Sequence, residues 1–200
     1  MTWMILLAVL SGTLLGRFVL TAPQIVFLSK VSPWALALLL FSIGFNIAAD
    51  HTAWQRFRRL DWRVLFVPAA GAVGSLLGVL LGGLLVKLGP WESLSVGAGF
   101  GWYSLSGVLL SNLGFTALGA TAFLSNIFRE LLAVVSIPWL AQKVDPFAAI
   151  APGGATTMDT TLPILARYGT HESTMVAFIN GALLSMLVPF LVPLFAGMIG

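Results

Sequence analysis

The chain has 200 residues, of which 58% are hydrophobic and 8% charged, with a mean hydropathy of +1.00. A soluble domain carries about a quarter charged residues, so this composition excludes a soluble globular fold and marks an integral membrane protein. The net charge of +3 comes mostly from one short basic loop, a topology signal that suggests no nucleic-acid partner, and the lack of cysteine excludes disulfides and thiolate metal sites.

Met1–Val9 carries no Lys or Arg, so the positive start of a signal peptide is missing and the apolar run reads as a first membrane span, Trp3–Leu20. Gly12 and Gly16 give GxxxG spacing there, read as small-residue packing. A second span is expected over Pro33–Ala49, with Ser32 as N-cap and Pro33 in the first turn. Asn46 and Asp50 share a face at its end. The loop Asp50–Arg63 holds Arg56, Arg58, Arg59 and Arg63, and the positive-inside rule predicts that it and the N-terminus are cytoplasmic.

A third span is expected over Val64–Lys87. Its small residues Gly71, Gly74, Ser75, Gly78, Gly82 and Gly83 predict close packing against other helices. Ser93–Leu113 is apolar enough to enter a membrane, but its four glycines and several hydroxyls make a poor continuous helix. Phe115–Gln142 is a strong helix, with Pro138 near its end. Phe147–Leu165 is again broken and rich in hydroxyls, and Ser173–Met198 is the last helix, carrying Asn180. Two histidines, His51 and His171, are too few for a histidine-rich metal centre, and His171 with Glu172 is expected at the interface.

The pattern predicts an all-α polytopic membrane protein forming a single transport domain over residues 1–200. It has five membrane segments if both interrupted stretches are re-entrant hairpins, and seven if both are broken crossing helices. Either count leaves the C-terminus outward. Paired interrupted segments point to the binding site of a secondary transporter, because irregular backbone at membrane depth needs protein or a wet cavity around it.

Glu130 and Asp159 are the acids deepest in apolar sequence. A charge there costs from a few to more than ten kcal/mol unless paired, wetted or neutralised. Asn126 and Glu130 lie on one helical stripe, with Ser125 and Arg129 about 100° away. Glu130 suits an ammonium group or a proton, and Arg129 a carboxylate; alternatively both tie helices together. Asp159 stands among Thr156, Thr157, Thr160 and Thr161, whose oxygens suit an ammonium, sodium or water. A partly dehydrated carboxyl can alternate between proton and cation, which is how an antiporter couples two flows. Trp102 and Tyr103, with Phe100, offer an aromatic face to a cation or serve as packing. Ser104 and Ser106 add hydroxyls to the same candidate site. Asn180 is expected to make an interhelical hydrogen bond. No enzyme is expected: Ser104 stands where a serine–histidine membrane protease needs glycine, and the deep acids are not two aspartates. No cofactor is expected.

The motifs GFGWYSLSG (Gly99–Gly107), AFLSNIFREL (Ala122–Leu131) and GGATTMDTTLP (Gly153–Pro163) resemble the lysine exporter family of bacterial inner membranes. The resemblance runs through nearly the whole chain. It implies export of L-lysine and its toxic analogues in exchange for protons, with the family's membrane acids at Glu130 and Asp159. It also implies a likeness to cation/proton antiporters with interrupted, crossing helices. Typical members carry further membrane helices ahead of this region. The chain is therefore expected to be the C-terminal part of a split transporter with a small N-terminal membrane subunit, a homo-oligomer, or a minimal form. Another basic amino acid, or a bare cation exchanged for protons, would suit the same residues.

Overall fold

The computed structural model describes residues 66–199 without a break, and before them residues 11, 12, 14–28, 30, 31, 34, 38, 41 and 45. The start of the first expected span, most of the second with Asn46 and Asp50, and the basic loop lie outside the described residues.

From Phe66 onward the helices are α1 (Phe66–Val86), α2 (Pro90–Gly97), α3 (Tyr103–Asn112), α4 (Thr116–Lys143), α5 (Leu162–Tyr168) and α6 (His171–Ala196). Two 3-10 turns, Ala148–Ile150 and Gly154–Met158, fall between α4 and α5. Among the described residues α1, α4 and α6 are long and apolar enough to cross a membrane. All regular structure among the described residues is helical, as in a helical membrane protein.

Local chemistry sets the ends of these elements. Lys87 takes a left-handed φ of 61° and stops α1. Pro90 then occupies the first turn of α2, and Glu92 Oε2 accepts the Gly89 amide at 2.7 Å. Thr170 Oγ1 accepts the Ser173 amide at 3.1 Å and opens α6. Pro138 sits buried inside α4, which continues past it to Lys143.

The three long helices alternate in direction. Ser75 of α1 bonds Arg129 of α4, and Val67, nearer the start of α1, packs in a cluster with Ala133 and Ile137. The same cluster takes Val176 and Ala177 from the start of α6. Leu184 and Val188, further along α6, pack in a second cluster with Leu118 and Ala122 of α4. So α4 runs against both α1 and α6.

Between α1 and α4 the chain folds back on its own path. Ser93 of α2 abuts Gly83 near the end of α1, and Gly97 abuts Val79 further in. After the break, α3 returns: Gly107 and Ser111 face Gly119 near the start of α4. Residues 90–113 thus leave from and return to one end of the bundle. Residues 147–168 do the same from the opposite end. Ala149 and Ile150 set out beside Ala133 and Ile137, and Leu162 and Leu165 come back to that same cluster. The two hairpins meet midway, where the Ala155 amide donates to the Phe100 carbonyl at 2.8 Å. The interrupted stretches are therefore hairpins in path, not crossings from one end to the other.

Candidate functional site

The hairpin tips carry unusual backbone. Phe100 has φ 46°, Gly101 φ 105° and Gly154 φ 59°. The left-handed region costs a non-glycine residue about 1–2 kcal/mol, and Phe100 is held there with its side chain fully buried in the core cluster. Its ring therefore belongs to the core, not to a cation-binding face. Gly154 has no alternative residue: a Cβ there would run into the Phe100 carbonyl and the Arg129 guanidinium.

A cavity of about 160 Å³ lies between the tips. The first hairpin contributes Gly101, Trp102, Tyr103 and Ser104; the second contributes Ala155, Thr156, Asp159 and Thr160; α6 adds Ser185. Asp159 is half-buried, and its Oδ1 accepts the Thr160 amide and, more weakly at 3.4 Å, the Thr160 hydroxyl. Helix α3 starts at this cavity without a side-chain cap. The Tyr103 amide donates to the Gly101 carbonyl at 3.0 Å, and the first turn carries the positive end of the helix dipole.

Glu130 is half-buried one turn along α4 from Asn126. Glu130 does not line the cavity, whereas Tyr103 does. The Tyr103 ring packs edge-on against Phe123 at 5.5 Å between centroids.

Other expected site residues form the walls behind the cavity. Asn126 is buried, accepts the Gly101 amide at 2.8 Å and donates to Ser106 Oγ at 3.3 Å. Ser106 is also buried and donates to the Trp102 carbonyl at 2.9 Å. Thr157 is buried and donates to Gly154 O and Ala177 O. Arg129 spreads its guanidinium over Pro152 O (2.9 Å), Ala151 O (3.1 Å) and Ser75 Oγ (2.9 Å). Three of its five N–H donors thus serve one arm of the second hairpin and α1.

Trp102, Tyr103, Ser104, Thr156, Asp159 and Thr160 therefore share one cavity, while Asn126, Ser106, Thr157 and Arg129 support it. Sequence reasoning passed over Ser185, whose Oγ contacts Met158 Sδ at 3.6 Å; a lone hydroxyl in an apolar helix was its only signal. Asn180 donates to Gly154 O and Thr157 Oγ1, both at 3.0 Å, so its interhelical bond is to the second tip. His171 opens α6 fourteen residues before Ser185, about 21 Å along the helix.

Long apolar helices thus enclose two broken segments whose polar side chains converge on one cavity, the setting that irregular backbone at membrane depth requires. The chain belongs to the family described as "Lysine exporter LysO", whose model matches residues 6–196. It is 35% identical over 168 residues to the lysine exporter LysO of Escherichia coli K12, covering 84% of this chain and 56% of that protein. It is 30% identical over 192 residues to the "Putative lysine exporter" of Haemophilus influenzae Rd, covering 96% of each. No solved structure matches.

Proposed function

We propose that this chain exports L-lysine across the bacterial inner membrane in exchange for protons, through the cavity between the hairpin tips. The observation that carries the reading is Asp159, a membrane acid on a cavity that both tips enclose. The substrate carboxylate would face the uncapped start of α3, and an ammonium group would face Asp159. Glu130, half-buried on α4 and outside the cavity lining, is the second acid. Proton and ammonium compete for the same carboxylates, so loading one releases the other. Arg129 acts as a positioning residue that holds the second hairpin. The family membership and the names of the two relatives support lysine as the cargo.

In this reading both hairpins re-enter the membrane from the side they left. With the Asp50–Arg63 loop cytoplasmic, residues 90–113 enter from outside, residues 147–165 enter from the cytoplasm, and the C-terminus is outward. The chain spans little more than half the length of the E. coli relative. An open groove of about 710 Å³ between α1 and α4 leaves room for a further apolar helix. A small N-terminal membrane subunit or a second copy is the partner this reading allows.

The test uses cells that lack lysine export and are challenged with a toxic lysine analogue. The chain, with its partner gene where one exists, restores growth, and Asp159→Asn does not. Equal protection by both would overturn the proposal.

A further inference from the structure

Asn126 and Asn180 are buried amides that line no part of the cavity, with 4% and 1% of their surfaces exposed. Their placement corresponds. Asn126 is the eleventh residue of α4, the continuous helix that follows the first hairpin; Asn180 is the tenth residue of α6, which follows the second. Each reaches back to the tip of the hairpin just before it. Asn126 bridges Gly101 N and Ser106 Oγ on the two sides of the first break. Asn180 bridges Gly154 O and Thr157 Oγ1 at the second. Both tips place a left-handed residue at the bridged position, Gly101 and Gly154. Among the described residues the two tip backbones share the Ala155–Phe100 bond, and Arg129 of α4 also grips the incoming arm of the second hairpin at Ala151 and Pro152, so the two amides hold the tips themselves.

The arms of each hairpin lie between the cavity and one end of the bundle. We infer that Asn126 and Asn180 are paired positioning residues, each latching one of two separate gates. Release of Asn126 frees the first hairpin and opens the cavity toward the end where α1 finishes. Release of Asn180 frees the second hairpin and opens it toward the end where α1 begins. A buried amide–backbone bond is modest in net energy but costly to leave half-made, which suits a latch that is either closed or fully open. The inference rests on the cavity being the transport site, but its readout is access, not flux.

The sequence contains no cysteine, so Ser185→Cys places a single thiol on the cavity wall, on a helix outside both hairpins. Its labelling by a membrane-impermeant thiol reagent is measured from each side of sealed vesicles. Against that parent, Asn126→Ala should raise labelling several-fold from the side where α1 ends and leave the other side unchanged. Asn180→Ala should do the reverse. Equal increases from both sides, or no change from either, would overturn the inference. Should an alanine variant fail to insert, Asn126→Ser and Asn180→Ser are read the same way. Hydrogen exchange in the unsubstituted chain gives a reading free of variants: peptides covering residues 99–104 and 153–158 should open at different rates, whereas one shared rate would contradict two gates. Loss of lysine flux with side-specific labelling intact would count against the cargo and not against the gates.

Discussion

The Phe100 carbonyl accepts the Ala155 amide at 2.8 Å, and that bond joins two hairpins arriving from opposite ends of the bundle. Apart from Ser185 of α6, the cavity lining hangs from this junction. Gly101, Trp102, Tyr103 and Ser104 follow Phe100 directly, and Thr156, Asp159 and Thr160 follow Ala155.

Gly154 is the residue that permits the junction. Alanine there would adopt φ 59° and push into the Phe100 carbonyl and the Arg129 guanidinium. The backbone alone costs about 1–2 kcal/mol, and the clash adds to it. Gly154→Ala should lower the melting temperature of the purified protein and abolish transport. A variant as stable and active as the parent would show that the tips do not touch.

Neighbouring glycines in α1 predict opposite outcomes. A Cβ at Gly83 would strike Ser93, whereas one at Gly82 meets nothing within 4 Å. Alanine is favoured over glycine in a helix by about 1 kcal/mol. Thermal unfolding in detergent should therefore show Gly82→Ala at or above the parent and Gly83→Ala below it.

Thr157 donates to Gly154 O and Ala177 O and accepts from Asn180, all in buried surroundings. Valine keeps its shape and removes the hydroxyl; Gly154 O keeps its bond from Asn180, while an Asn180 N–H loses its acceptor and Ala177 O loses the Thr157 donor, at a cost of about 1–3 kcal/mol. Thr157→Val should lower thermal stability and reduce transport while leaving the protein inserted. Unchanged stability would place these bonds elsewhere.

Arg129 grips two consecutive carbonyls and Ser75 with one planar fork. Lysine carries the same charge on a point-like head and cannot reproduce the fork. Arg129→Lys should impair transport nearly as much as Arg129→Gln. Full activity in the lysine variant would mean that charge alone matters there.

The long helices were legible because their apolar runs outlast the membrane: Val64–Lys87 was expected, and α1 spans Phe66–Val86. The breaks were legible from glycine and hydroxyl clusters, at Gly97–Gly101 and Gly153–Thr161. The path after each break was not. It is set by close contacts far apart in sequence, Ser93 with Gly83 and Gly107 with Gly119, which no local pattern records. The same holds for Arg129. Its position on α4 follows from helical spacing, but its donors go to Ala151 and Pro152 because the second hairpin leaves those carbonyls unpaired beside it. Ser185 escaped notice because one serine in an apolar helix carries no pattern.

Flux of labelled L-lysine, measured in liposomes holding the purified chain with any partner subunit, under an imposed proton gradient, addresses the mechanism most directly. The account predicts gradient-driven flux that unlabelled lysine competes away and that Glu130→Gln and Asp159→Asn each abolish while both variants still insert. Lysine flux that ignores the gradient, or that survives both substitutions, would contradict it.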